Sequence, residues 1–109
     1  FGTNDLTQMT YGFSRDDVEA SVIKKYIEMD ILQESPFAQL DTLGVGKLVQ
    51  EAINSSRAIN PEIKIGVCGE HGGDPTSIRF LANSGVNYVS CSPPRIPIAR
   101  LVGAQESLK

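Results

Sequence analysis

Apolar residues recur at helical spacing between Ser14 and Asp30, and this spacing predicts an amphipathic helix. The inward positions of this helix are Val18, Val22, Ile23, Tyr26 and Ile27. Ser14 is followed three residues later by Asp17, an arrangement that resembles a helix cap. We therefore expect the first helix of the chain to begin near Ser14 and to bury one face.

A second helix is predicted from about Asp41 to about Ile59, after a loop marked by proline and glycine residues. Its buried face comprises Val45, Leu48, Val49, Ala52 and Ile53. Pro61 stands just past its end, where a proline is common.

Two short runs rich in β-branched residues, Ile63 to Cys68 and Val86 to about Ser90, predict buried strands. Between them, Asp74 is a candidate N-cap for a helix from Pro75 to about Ser84, and Gly85 is a natural terminator. A final helix is predicted over IPIARLVGAQESL. Its inward side chains are expected to be Ile98, Leu101 and Val102.

The alternation of helices with short buried strands favours parallel strands joined by crossovers, an α/β architecture. A further strand would lie mostly before Phe1, with only FGTND remaining in this chain. Three strands are too few to close a parallel barrel, which usually takes about 250 residues. If the fold is a barrel, we expect this chain to be a fragment of it.

Composition narrows the function classes. The chain has 109 residues, of which 40% are hydrophobic, and its apolar runs are too short to span a membrane. A net charge of -3 provides no basic excess for binding nucleic acid. Two isolated cysteines and a single histidine give no zinc-type cluster, so the sequence favours a reduced intracellular chain.

Polar and glycine-rich residues gather at three expected strand ends, GTND, CGEHGGDP and CSPPR. Strand ends of this kind carry the active sites of α/β barrels. Asp5 supplies a carboxylate of the type that Mg²⁺ prefers, and the amides of Gly2 and Thr3 could approach an anion. The alternative is that Asn4 and Asp5 only form a turn.

Cys68 is a candidate proton donor, since a thiol is mostly protonated at neutral pH and can lose and regain its proton. A buried structural cysteine is the alternative. For His71 we expect local hydrogen bonds and no catalytic role, and for Glu70 a salt bridge. Arg95 could face an anion or serve a structural role.

The segments GTNDLTQMTYGFSRDD and GVCGEHGGDPTSIRFLANSGVNYVSCSPPRIPIARL resemble, in order and spacing, the C-terminal domain of the pyruvate, phosphate dikinase family. The wider group of phosphoenolpyruvate (PEP)-utilising enzymes, which includes PEP synthase and Enzyme I of the phosphotransferase system, shares the GTNDL and CG elements. GFSRDD, GEHGGDP and PIARL are more similar to the dikinases. Pro94 departs from the aromatic residue expected at its position.

The resemblance implies that residues 1–109 form the C-terminal portion of a (β/α)8 TIM-type barrel, from the end of strand six through helix eight. It also implies a transferase that interconverts ATP, phosphate and pyruvate with AMP, diphosphate and PEP, using Mg²⁺. The implied partner is a phosphohistidine domain of the parent chain, which together with the ATP-binding domain would lie outside this stretch. The parent is expected to be a cytoplasmic homodimer, with an organelle location left open.

Carried over residue by residue, the resemblance makes Asp5 the Mg²⁺ ligand and Cys68 the proton donor to enolpyruvate. Asn4 would contact substrate oxygens, and Gly2 and Thr3 would form the adjoining substrate-binding backbone. The substrate-binding arginines and a second carboxylate would lie on earlier strands. Another PEP-utilising enzyme, or a non-catalytic interaction module with an open sheet edge, remain alternatives.

Overall fold

The computed structural model describes all residues from Phe1 to Lys109. Its helices are α1 (Thr3–Tyr11), α2 (Arg15–Val18), α3 (Lys24–Glu28), α4 (Val45–Ile59), α5 (Pro75–Ser84) and α6 (Ile96–Ser107). A π-helical segment, Glu19–Ile23, joins α2 to α3, and 3₁₀ turns cover Glu70–Gly73 and Pro93–Arg95. The strands are β1 (Gly66–Val67) and β2 (Tyr88–Val89).

The strands are parallel, with Gly66 opposite Tyr88 and Val67 opposite Val89. A third extended segment lies on the other side of β1, where Gly2 forms a parallel bridge with Cys68. The amide of Cys68 donates to the Phe1 carbonyl at 2.9 Å, and the amide of Thr3 donates back to the Cys68 carbonyl at 3.1 Å. The parallel α/β arrangement is therefore confirmed, with β1 in the middle, whereas closure into a barrel stays a prediction.

Helix α4 packs on one side of this sheet and shares its main core with β1 and α5. The buried members of that core are Leu40, Val45, Val49, Ile53, Ile65, Val67 and Leu81. A smaller cluster between α5 and α6 contains Ile78, Ala99 and Val102. The two clusters fix α5 between its neighbours and hold the strand ends in place.

The prediction for Pro75–Ser84 is confirmed at both ends. The Asp74 carboxylate accepts a hydrogen bond from the Ser77 amide at 2.8 Å, which satisfies one of the free amides of the first turn. Gly85 follows the helix in the left-handed region, at φ 86°.

The first predicted helix is wrong in detail. Helical backbone covers residues 15–28, but the π-helical segment interrupts it and only Ile23 is buried, while Val22 and Tyr26 are each 37% exposed. The wider π turn shifts the positions after it around the axis, so the expected apolar stripe does not stay on one face. Ser14 lies at the cap position, but its side chain accepts no capping hydrogen bond.

Helix α4 begins at Val45, later than the predicted Asp41. The reason is local, because the Asp41 carboxylate accepts hydrogen bonds from the amides of Leu43 and Gly44, both at 3.1 Å, and so forms a turn before the helix. Leu48 was also assigned wrongly to the buried face, since it is 44% exposed.

The strands and the last helix also depart from prediction. Ile63 lies before β1 and is 36% exposed, so the strand is shorter than the apolar run. Helix α6 turns Ala99 and Val102 toward α5 and leaves Ile98 and Leu101 exposed, which corrects their expected inward orientation. None of the helices has both the length and the apolar character needed to cross a membrane.

Candidate functional site

Asn4 and Asp5 lie in the first turn of α1, directly beside the end of β1. The sequence predicted a loop here, and the alternative was an isolated turn. The structure instead has the N-terminus of a helix at this place. The backbone amides of Asn4 and Asp5 have no hydrogen-bond acceptor within the chain. Free amides at the start of a helix attract anions, so this end of α1 suits an acidic ligand.

The backbone of Gly2 and Thr3 has a different surrounding from the one expected. Thr3 is fully buried, and its amide is already bonded to the Cys68 carbonyl at 3.1 Å. Gly2 is exposed and forms the parallel bridge to Cys68. The donors that face outward at this corner are therefore those of the next two residues, and Thr3 connects α1 to the strand.

The two polar side chains of the first turn differ in their partners. Asp5 is exposed and accepts only one long hydrogen bond, from Gln8 Nε2 at 3.5 Å. The Asn4 Oδ1 atom accepts from the Glu70 amide at 3.2 Å, so its NH₂ group is left as a donor. Asp5 can therefore serve as a metal ligand, while Asn4 also ties α1 to the loop after β1.

Cys68 combines a fixed main chain with an exposed thiol. Its amide and carbonyl are both bonded to the Phe1–Thr3 segment, and the Thr3 hydroxyl lies 3.0 Å from the same carbonyl. Its side chain is free and the residue is exposed. The alternative of a buried structural cysteine is wrong, and the geometry leaves the thiol accessible to a ligand.

Two glycines shape the loop that follows Cys68. Gly69 has φ +116°, which favours glycine, and a Cβ atom there would lie 2.7 Å from Thr3 Oγ1. At Gly72 a Cβ atom would overlap the carbonyl oxygen of Ser90, at the end of β2. Gly69 and Gly72 thus permit close contact of this loop with α1 and with the neighbouring strand.

His71 is hydrogen-bonded, but its partners are distant along the chain rather than local as expected. It is fully buried, with Nδ1 at 2.7 Å from Thr3 Oγ1 and Nε2 at 2.8 Å from the Pro36 carbonyl. Burial lowers the pKa of His71 from its ordinary value of 6.5, because a charged ring would lose its hydration. Nothing in the sequence around His71 points to its partner Thr3, which lies 68 residues away along the chain.

Arg95 borders the loop from the side of β2. Its Nη1 atom donates to the Glu70 carbonyl at 3.1 Å and lies 3.5 Å from the Glu70 carboxylate. The salt bridge expected for Glu70 is confirmed, and Arg95 is its partner. An anion at Arg95 would have to compete with that carboxylate.

No group of three or more His, Cys, Asp or Glu side chains is placed to hold a metal ion by itself. Mg²⁺ commonly takes only one or two protein carboxylates and fills its other positions with water and substrate oxygens. A single exposed carboxylate could therefore be one ligand of Mg²⁺, and the free amides beside it could hold the substrate whose oxygens complete the coordination. Asp5 carries that carboxylate.

A family model described as PEP-utilising enzyme, PEP-binding domain, matches residues 1–108. The chain is 57% identical over 105 residues to pyruvate, phosphate dikinase 1, chloroplastic, of Arabidopsis thaliana, covering 96% of this chain and 11% of that protein. It is 56% identical over 108 residues to pyruvate, phosphate dikinase of Clostridium symbiosum, covering 99% of this chain and 12% of that protein. The chain thus spans about an eighth or less of the length of these curated relatives.

Proposed function

Because the chain belongs to the PEP-utilising enzymes through their PEP-binding domain, we propose that it is the part of a pyruvate, phosphate dikinase that protonates enolpyruvate at carbon. The parent reaction would convert ATP, phosphate and pyruvate to AMP, diphosphate and PEP, and the reverse. A phosphohistidine domain elsewhere in the parent chain would exchange the phosphoryl group. The surrounding fold would be a (β/α)8 barrel, to which the three parallel segments contribute.

One observation carries this proposal. The exposed thiol of Cys68 lies at the end of β1, and the 3.1 Å bond from the Thr3 amide to the Cys68 carbonyl places the start of α1 next to it. A group able to transfer a proton and a cluster of anion-binding donors are thus joined through the main chain. A small anionic substrate that changes charge at oxygen while it gains a proton at carbon needs both.

The substrate would bind with its oxygens toward the start of α1. The amides of Asn4 and Asp5 and the Asn4 NH₂ group are donors without partners in the chain, and they suit carboxylate, phosphoryl or enolate oxygens. Gly2 lies beside them with no side chain in the way. This arrangement would orient the planar enolate relative to Cys68.

Asp5 would be this chain's ligand for Mg²⁺, which when bound supplies positive charge next to the enolate oxygen. Its exposed carboxylate is compatible with that role. The second carboxylate and the substrate-binding arginines would come from parts of the parent outside residues 1–109.

Cys68 would move the proton at carbon. In the direction of pyruvate, the S–H bond breaks, a C–H bond forms at the methylene carbon, and the enolate becomes a ketone. In the direction of PEP, the thiolate takes a methyl proton and the enolate forms again, so atoms and charge balance in both directions.

The test is Cys68→Ala in a full-length dikinase that carries this domain. We expect loss of pyruvate formation and of solvent deuterium exchange into the pyruvate methyl group, because no other thiol stands at this place. Phosphorylation of the distant histidine by ATP should continue. Cys91→Ala is the matched control, since Cys91 is half-buried at the end of the other strand. Normal exchange in Cys68→Ala would show that the role given to Cys68 is wrong.

The 109-residue chain by itself should show no dikinase turnover and at most weak binding of PEP, since it would supply one metal ligand and the ATP-binding domain would lie elsewhere in the parent. Isothermal titration with PEP and Mg²⁺, together with a coupled assay for PEP formation, checks both expectations. Turnover by these residues alone would contradict the assignment as one part of a larger site.

A further inference from the structure

His71 has a position that no step of the proposed reaction uses. It is fully buried and both ring nitrogens are occupied, so it cannot accept a phosphoryl group or exchange protons with a substrate. It contacts two distant parts of the chain, Thr3 at the start of α1 and Pro36 in the loop before α4. A buried polar side chain that joins distant segments either rigidifies a site or destabilises it, depending on whether every group has a partner.

The hydrogen positions follow from the partners. The Pro36 carbonyl can only accept, so Nε2 of His71 must carry a proton. Since burial favours the neutral ring, Nδ1 has a lone pair and must accept from the Thr3 hydroxyl at 2.7 Å. The hydroxyl has only one proton, which it donates to His71. The hydrogen-bond donor to the Cys68 carbonyl is then the Thr3 amide, although Thr3 Oγ1 lies 3.0 Å from that carbonyl.

We propose that His71 is a positioning residue for Cys68: its Nδ1 atom accepts a hydrogen bond from the Thr3 hydroxyl and so fixes Thr3, whose amide bond to the Cys68 carbonyl keeps the start of α1 in register with the end of β1. This inference rests on the proposed function of Cys68. Thr3 precedes Asn4 and Asp5, and its amide donates to the Cys68 carbonyl at 3.1 Å, so a Thr3 without its anchor on His71 would let the backbone at the start of α1 shift relative to the thiol. The function of the ring lies in the acceptor that it offers to Thr3.

Two substitutions separate the nitrogens of the ring. His71→Asn places an amide oxygen near the position of Nδ1 and retains an acceptor for Thr3, whereas His71→Gln places an NH₂ group near Nε2 and retains the donor to Pro36. In a full-length dikinase that carries this domain, we expect His71→Gln to slow deuterium exchange into pyruvate by about 10- to 100-fold. His71→Asn should stay within about threefold of the wild-type rate, and KM for pyruvate should change less than kcat in both.

Protection of the α4 and α5 amides from hydrogen exchange serves as the measure of intact folding of this domain in each variant. Equal losses in His71→Asn and His71→Gln, or normal exchange in His71→Gln, would overturn the inference. If neither variant folds, Thr3→Val decides, because it removes the hydroxyl at nearly constant volume and should slow exchange as His71→Gln does. Normal exchange in Thr3→Val would also overturn it.

The proposed function fails separately. If Cys68→Ala exchanges deuterium normally, the role of the thiol is wrong whatever the His71 variants do. If Cys68→Ala is inactive while His71→Gln is normal, Cys68 keeps its role and only the positioning by His71 is rejected.

Discussion

The two parallel strands of this chain end in loops of opposite character. After β1, the segment His71–Gly73 is buried, and the His71 ring bonds to Thr3 of α1 and to the Pro36 carbonyl in the loop before α4. After β2, the residues from Ser90 to Arg95 are exposed or half-buried, and their side-chain bonds to the rest of the chain come from Arg95. Neighbouring strand ends in one sheet therefore need not be equally fixed, and the candidate chemistry lies at the rigid one.

The largest effect is expected for Gly72→Ala, since the added methyl group would overlap the Ser90 carbonyl oxygen and backbone on both sides must move. We expect a loss of about 2–3 kcal/mol in the free energy of unfolding. Guanidinium unfolding of the chain followed by circular dichroism measures it. Gly103→Ala is the control, because nothing lies within 4 Å of a Cβ atom there, and its helical position should gain stability. Equal stability of the two variants would show that the loop after β1 is not tightly packed.

The next largest effect is expected for Asp74→Ala. Asp74 stands at the end of the buried loop and caps α5. Its Oδ2 atom accepts from the Ser77 amide at 2.8 Å and from the Ser77 hydroxyl at 2.6 Å. Loss of the cap should cost about 1–2 kcal/mol, and Asp74→Asn should retain most of it. Ser92→Ala is the matched control at the other strand end, where the side chain makes no capping bond, and should stay within about 0.5 kcal/mol of the parent. A comparable loss of unfolding free energy in Asp74→Ala and Ser92→Ala would show that the two loops are equally fixed.

A milder test uses pH. The pKa of His71 is lowered mainly by burial, while the Pro36 carbonyl and the nearby Asp74 and Glu70 carboxylates oppose that shift and Arg15 adds to it. The unfolded chain therefore binds a proton on His71 at a higher pH than the folded chain does. The neutral, buried His71 ring therefore contributes fully to folding stability above pH 6.5. This contribution is lost as the pH falls from 6.5 toward the pKa of His71 in the folded chain. Unfolding curves between pH 7.5 and 5 should show this loss and His71→Asn should reduce it; an unchanged slope in His71→Asn would assign the loss to carboxylates.

The smallest effect is expected for Arg95→Gln, which breaks the contact between the loops. The Arg95 and Glu70 side chains are 36% and 51% exposed, so solvent and salt screen their attraction. Exposed pairs of this kind contribute about 0–1 kcal/mol. Unfolding at low and at high salt should show a difference from the parent chain only at low salt. A loss of several kcal/mol would mean that the loop after β2 supports the one after β1.

Features set by neighbouring residues could be read from the sequence. Asp74, Pro75 and Gly85 gave both ends of α5, because caps and left-handed terminators are local signals. The alternation of strands and helices gave the parallel arrangement. The presence of Asp5, Asn4 and Cys68 at strand ends also followed from their local sequence and from the family resemblance.

Features that depend on distant contacts could not be read in this way. The hydrogen bond between Thr3 and His71 joins residues 68 positions apart, and the local sequence around neither residue indicates the contact. The inward face of α6 is set by its packing against α5, where Ala99 is buried and the larger Ile98 is exposed. The π-helical segment at Glu19–Ile23 changes the helical period itself, so a pattern that assumes a constant period assigns the residues after it to the wrong face.

The exposed thiol on a rigid main chain also makes Cys68 a suitable attachment point for small electrophilic probes. A reagent bound there would have little conformational freedom beyond its own bonds, because the amide and the carbonyl of Cys68 are both held by the Phe1–Thr3 segment. Cys91 is the one other cysteine in the chain and is half-buried, so modification should be selective. A fluorine-labelled or spin-labelled group at this sulfur would therefore report on ligands that arrive at the start of α1.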